Sequence, residues 1–167
     1  MKVIDVMRPA KVSLAQNASL AQVVDAFLQH HLNMLTIVDA AQHVVGIITP
    51  TDLLDFLFPR FYELLRDYNA LEDKGQLSSL FGAAFSGLDI ADNKLILAAD
   101  IMRTHLIWVN GDDALLAASS RLFGQRMAEL PVVDRDRRFL GLLSETDVIL
   151  SFLKGHALGG VSKRVGK

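Results

Sequence analysis

GIITPTD, Gly46 to Asp52, and GLLSETD, Gly141 to Asp147, are the two stretches that decide the fold. Each passes from a glycine through apolar residues to a hydroxyl residue, with an aspartate three positions further on. An offset of 95 residues carries the first phrase onto the second. Without any gap, it also carries Asp5-Val6-Met7-Arg8 onto Asp100-Ile101-Met102-Arg103. It pairs Leu20 with Leu115, Leu35 with Leu130, and Val38-Asp39 with Val133-Asp134. So many agreements at one offset mark a tandem duplication.

Working outward from the first phrase, Val12 to Leu14 is a short strand. Ser19 and Gln22 then form a capping box ahead of Leu20, Val23, Val24, Phe27 and Leu28, which lie at helical spacing. LTIVD and VVGIIT are β-branched runs separated by a turn at Ala40 to His43. Thr49-Pro50 opens a second helix, with proline at the first helical position and Leu53, Leu54, Leu57 and Phe58 following, and the helix stops near Pro59. The second copy repeats the plan with Ile107 to Val109, a helix from about Asp113, LPVVD, FLGLLS, and a helix from Glu145. The fold class is therefore α/β (α+β): two β-α-β-β-α repeats that pack against each other, since neither alone would cover both faces of so small a sheet. The boundaries are 1–58 for the first repeat, 59–97 for a helical spacer, 98–154 for the second repeat and 155–167 for a flexible basic tail. In the spacer, Phe61, Leu64, Leu65, Tyr68 and Leu71 fall on one face of an amphipathic helix and form a candidate partner or dimer surface.

Bulk properties fit this reading. Of the 167 residues, 51% are apolar, enough for a sizeable core, and the 22% that are charged argue against a disordered chain. Mean hydropathy is +0.30 and the isoelectric point about 6.2. With a net charge of −2, the chain lacks the basic footprint of a nucleic-acid binder. The absence of cysteine excludes disulfides and thiolate chemistry. Asp5 interrupts the N-terminal apolar run, and no stretch suits a membrane span, so a cytoplasmic protein without membrane insertion is expected.

The two full motif sets, DVMRP and DIMRT, then LPVVD, then GIITPTD and GLLSETD, resemble the cystathionine-β-synthase (CBS) domain pair, or Bateman module. The resemblance covers residues 3–58 and 98–153. It implies repeats related by a pseudo-twofold axis, a homodimer, and inter-repeat clefts that take AMP, ADP, ATP or S-adenosylmethionine, with no required cofactor. It further implies Asp52 and Asp147 on the ribose hydroxyls, and Thr49, Thr51, Ser144 and Thr146 on phosphate. Ser13, Trp108, Leu35, Leu130 and Pro131 become the base-side cleft walls, with Arg103 and His105 as phosphate cations. Trp108 stands where the family tends to place a threonine, and either stacks on adenine or plugs the cleft. Thr36 stands opposite Pro131, so the two clefts are not equivalent.

The residues alone support two readings of the repeated phrase. A helix N-terminus with unpaired N–H groups is an anion site. The same hydroxyl and acid three positions apart are also an ordinary helix cap. The expected function is that of a regulatory ligand sensor, not an enzyme, signalling to an effector protein. The alternative is a structural dimerisation module with no bound nucleotide. A metal site is not expected, because His30 and His31 are adjacent and His43, His105 and His156 are scattered. GHALGGVS has the glycine spacing of a P-loop, but Val161 replaces the lysine.

Overall fold

The structure is a computed structural model that describes residues 1–58 and 95–161, with side chains through residue 155. The expected amphipathic helix around Phe61 to Leu71 lies outside the described residues. A single 3-10 turn at Val3–Asp5 leads into β1 (Arg8–Pro9) and β2 (Ser13–Ala15). Then follow α1 (Leu20–His30), β3 (Leu35–Val38), β4 (Val44–Ile48) and α2 (Pro50–Leu57). The second repeat supplies α3 (Ala98–Ile101), β5 (Val109–Asn110), α4 (Leu115–Gly124), β6 (Glu129–Val133), β7 (Phe139–Ser144) and α5 (Glu145–Val161).

Local chemistry explains most of these limits. The Ser19 Oγ accepts from the Gln22 N–H at 3.3 Å and the Gln22 side chain accepts from the Ser19 N–H at 2.9 Å, so the expected capping box starts α1. Its buried face is Leu20, Val23 and Ala26, while Leu28, expected on that face, is exposed. Between β3 and β4, Asp39 Oδ1 accepts from the N–H groups of Ala41 and His43. Asp134 does the same for Asp136 and Arg138 between β6 and β7. The helix expected from Asp113 begins at Leu115 instead, because the Asp113 carboxylate is spent on the Asn110 N–H in the preceding turn. At the other end, α5 continues through Val161, into the stretch read as a flexible tail.

Two sheets result, β2-β3-β4 and β1-β7-β6-β5. β2 runs parallel to β3 and β5 to β6, β3-β4 and β6-β7 are antiparallel hairpins, and β1 adds antiparallel to β7. The lead-in segments, however, are exchanged. Ala98 and Ile101, which open the second repeat, lie in the core with Leu20, Val23, Leu35, Ile37 and Ile48 of the first. Val3, from the first repeat, lies with Val109, Leu115, Leu122, Leu130, Val132 and Leu143 of the second. Burying these residues in the opposite repeat ties the halves together by the same apolar transfer that builds each core.

Hydrogen bonds across the halves obey one symmetry. The Val3 N–H donates to the Asp113 carbonyl and the Ala98 N–H to the Ala18 carbonyl. Arg8 bridges to Leu142, and Arg103 to Ile47. His43 bridges to Arg138, its own counterpart. Each partner pair maps onto its mate by the 95-residue offset, which is the pseudo-twofold arrangement expected from the duplication.

Candidate functional site

The repeated phrase begins with glycine because another backbone passes over it. A Cβ on Gly141 would collide with the Arg8 carbonyl oxygen and lie 3.1 Å from the Ala10 nitrogen. One on Gly46 would collide with Met102, the neighbour of Arg103. Each phrase is thus the crossing point for the lead-in segment of the opposite repeat.

The end of the phrase caps a helix. Thr49 is the N-cap of α2, and its N–H and hydroxyl each donate to Asp52 Oδ2 at 2.7 Å. The Asp52 N–H returns a bond to Thr49 Oγ1 at 3.3 Å. At the start of α5 the Ser144 N–H and hydroxyl donate to Asp147 Oδ2 at 3.1 and 2.5 Å. The Asp147 N–H donates to Ser144 Oγ at 3.1 Å, and the Glu145 N–H to the Ala128 carbonyl, also at 3.1 Å.

Both aspartates also meet an arginine from the opposite repeat. Arg103 Nε donates to Asp52 Oδ1. Its counterpart Arg8 donates from Nε to Asp147 Oδ2 at 3.0 Å and from Nη2 to Glu129 Oε1. Partial burial works against the charged form of Arg8, but the hydrogen bond and charge of Glu129, then those of Asp147, outweigh it and raise its pKa. Glu129 is buried, with 7% of its surface exposed, and also lies 3.5 Å from Asn33 Nδ2. Its counterpart in the first repeat is Met34, so the surroundings of the two helix starts differ by a buried carboxylate.

Around this ion-pair set lies a cavity of about 410 Å³, lined by Arg8, Asn33, Glu129, Ser144, Glu145 and Asp147 among others. A second cavity of about 530 Å³ shares Arg8, Asn33 and Glu129 with it, and continues along Lys11, Val12, Leu32 and Phe139. Volumes in this range suit a drug-sized ligand. A separate cavity of about 400 Å³ beside Asp134 to Asp136 contains none of the repeated phrase. Its Asp112 carboxylate is engaged by Lys2 at 2.8 Å and Arg135 at 3.4 Å.

The structure brings Asp147 and Ser144 together at one cleft and Asp52 and Thr49 at the corresponding helix start. Thr51 and Thr146 are exposed on the first turns of α2 and α5. Ser13, at the start of β2, and Trp108, its counterpart just before β5, are half-buried, and the Trp108 carbonyl accepts from Arg121 at 3.4 Å. Leu35 and Leu130 are wholly buried within the two cores, and Pro131 is buried in β6. Arg103 and His105 are exposed, Arg103 already engaged by Asp52. Glu129 and Asn33 are the cleft residues that sequence reasoning missed. The available signal was an acid directly before LPVV, where the other copy has Met34 before LTIV. Among the described residues, no three His, Asp or Glu side chains converge to hold a metal ion, and no helix is long and apolar enough to cross a membrane.

Comparison with known proteins agrees with this architecture. The family described as CBS domain matches residues 3–59 and 98–154. No curated protein matches the sequence. Among solved structures, CBSX2 in complex with AMP is similar at a TM-score of 0.65 and 21% identity, over 92% of this chain and 96% of that one. CBSX2 from Arabidopsis thaliana gives 0.66 and 19%, over 93% and 96%. The CBS domain pair of protein MJ0100, in complex with 5′-methylthioadenosine and S-adenosyl-L-methionine, gives 0.62 and 22%, over 94% and 98%. At such identities the likeness speaks for the fold.

Proposed function

The chain belongs to the CBS domain family, and from that premise we propose that it is a regulatory module that binds an adenine nucleotide or adenosyl ligand between its repeats. The observation that carries this reading is the cleft at Asp147. A duplicated acid at a helix start faces a cavity between the two halves, opposite an arginine contributed by the other half. A carboxylate so placed accepts from two vicinal ribose hydroxyls, as acids do in dinucleotide folds. In this reading Asp52 and Asp147 hold ribose, and Thr49, Thr51, Ser144 and Thr146 face the 5′ substituent. Ser13, Trp108 and Pro131 flank the base, with Leu35 and Leu130 backing the wall from the core. Arg103 and His105 serve an anionic group at the Asp52 cleft.

The regulatory step follows from the ion pairs. A ribose that takes Asp147 competes with Arg8, whose bonds link the two repeats, so binding and the relative placement of the halves are coupled. A ligand shifts such an equilibrium by its differential affinity for the two arrangements. The output passes to an effector protein. A cytoplasmic homodimer completes this reading.

One observation favours the alternative of a structural module: both aspartates already have hydrogen-bond partners as helix caps. A thermal-shift series with AMP, ADP, ATP and S-adenosylmethionine separates the two readings. Ligand at a hundred times its dissociation constant stabilises by about 2.7 kcal/mol, or roughly 5–10 °C for a domain of this size. A shift lost in Asp52→Ala or Asp147→Ala supports the sensor. No shift with any of the four, on protein free of nucleotide, favours the structural module.

A further inference from the structure

The Asp147 cleft carries one guanidinium, Arg8, against three carboxylates, those of Glu129, Glu145 and Asp147. The counterpart positions of the other cleft hold Arg103, Met34, Pro50 and Asp52, one cation against one acid. Resting on the reading above, we propose that Glu129 makes the Asp147 cleft select adenosine derivatives whose 5′ group bears no negative charge, and reject 5′-phosphates.

A phosphate at the start of α5 needs a cation there; Arg8 is committed to Glu129 and Asp147, and Lys11 lines the adjoining cavity but not this one. Drawing Arg8 onto the phosphate leaves Glu129 a buried carboxylate, with Asn33 Nδ2 at 3.5 Å as its remaining partner. Leaving Arg8 in place sets the phosphate among acids, the like-charge juxtaposition by which proteins exclude wrong partners. The helix start offers limited relief, because the N–H groups of Ser144, Glu145 and Asp147 already donate within the protein. A 5′ group that is neutral, such as a thioether, or cationic, such as a sulfonium with an ammonium, meets none of these penalties. The Asp52 cleft, with Met34 in place of the acid, is where 5′-phosphates are accommodated.

Calorimetric titration with AMP and 5′-methylthioadenosine, which differ at the 5′ group, tests the proposal. In Asp52→Ala, where the Asp147 cleft is the one left intact, 5′-methylthioadenosine is expected to bind about tenfold or more tightly than AMP. Adding Glu129→Gln, which keeps an acceptor for Arg8 and removes the charge, should bring that ratio close to unity. Should Asp52→Ala fail to fold, Glu129→Gln in the otherwise unchanged chain serves alone, and AMP stoichiometry should rise from about one to about two per chain. AMP binding as tightly as 5′-methylthioadenosine in Asp52→Ala, neither probe binding there, or a ratio or stoichiometry indifferent to Glu129→Gln, overturns the proposal. If neither probe binds the unaltered protein, the sensor reading itself fails, a distinct result.

Discussion

Arg8 donates from Nε to Oδ2 of Asp147 at 3.0 Å, although 139 residues separate them in sequence. Its Nη2 reaches Glu129, so one half-exposed side chain from the first repeat serves two acids of the second. Arg8→Met removes the partner of a buried carboxylate. A wholly buried pair broken this way costs about 3–5 kcal/mol, and the exposure of Arg8 lowers the expected loss to about 1–3 kcal/mol. Glu129→Met, which copies Met34, should recover most of that loss when added to Arg8→Met. Urea unfolding of the single and double variants decides the matter, and equal stability for the two would remove Glu129 from the account.

The glycines of the repeated phrase should not respond alike to alanine. At Gly141 the obstacle is the Arg8 main chain, which cannot swing aside without disturbing β1 and its pairing with β7. At Gly46 it is the flexible Met102 side chain. Overpacking against a fixed neighbour costs about 1–3 kcal/mol. Gly141→Ala is expected near the upper end and Gly46→Ala at about 1 kcal/mol or below, read as melting temperatures several degrees apart. A reversed order would mean that the crossing at Gly141 yields more easily than its geometry indicates.

These glycines also show where sequence reading stops. The 95-residue offset, the α1 capping box, the hairpins and the helix starts at Thr49 and Ser144 were all legible, because each rests on local chemistry. The exchange of lead-in segments was not. Both copies carry the same Asp-x-Met-Arg, so docking in one's own repeat and docking in the other's look identical in sequence. The pairing of Arg8 with Asp147 follows from that exchange and was hidden with it. Glu129 escaped for a different reason: an acid at a strand edge is ordinarily a solvated flank, and its burial depends on an arginine supplied from 121 residues away.

The hairpin turns hold two residues in a conformation suited to glycine. Gln42 has φ 68° and Arg137, its counterpart, φ 64°. A left-handed backbone costs a side-chain-bearing residue about 1–2 kcal/mol, while glycine gives back about 0.5–1 kcal/mol as freedom of the unfolded chain. Gln42→Gly and Arg137→Gly should therefore stabilise by up to about 1 kcal/mol each, whereas glycine within a helix or strand destabilises. Chemical denaturation of the two variants checks this, and a loss of stability in both would show that the side chains make compensating contacts.

In the first of these turns the hydrogen bond from the His43 ring, then those from the backbone of His43 and Ala41, hold the Asp39 carboxyl below its ordinary pKa. Since the folded value is the lower one, the associated stability is present above the unfolded carboxylate pKa and is lost as pH falls through the folded value. The loss thus runs from the usual aspartate range down through the lower folded value. His43→Ala removes the largest cause and should return the Asp39 titration toward that range in carbon-detected NMR. An unmoved midpoint would assign the depression to the backbone donors.

Stability and affinity should move in opposite directions at Arg8. If ribose hydroxyls take the Asp147 carboxylate, they compete with the guanidinium for it, and the free protein holds Asp147 in the paired state. Removing the competitor raises the binding-competent fraction, and apparent affinity rises in proportion to that fraction. Arg8→Met, although less stable, is accordingly expected to bind 5′-methylthioadenosine several-fold more tightly at the Asp147 cleft, with the Asp52 cleft silenced by Asp52→Ala. By linkage, the same ligand must weaken the hold of Arg8 on Asp147 in the unaltered chain, which is how occupancy of the cleft would be felt by the other repeat. Calorimetry on the two proteins measures the difference directly. If affinity falls together with stability, Arg8 assists the ligand instead of opposing it, and the coupling between the halves must run through other contacts.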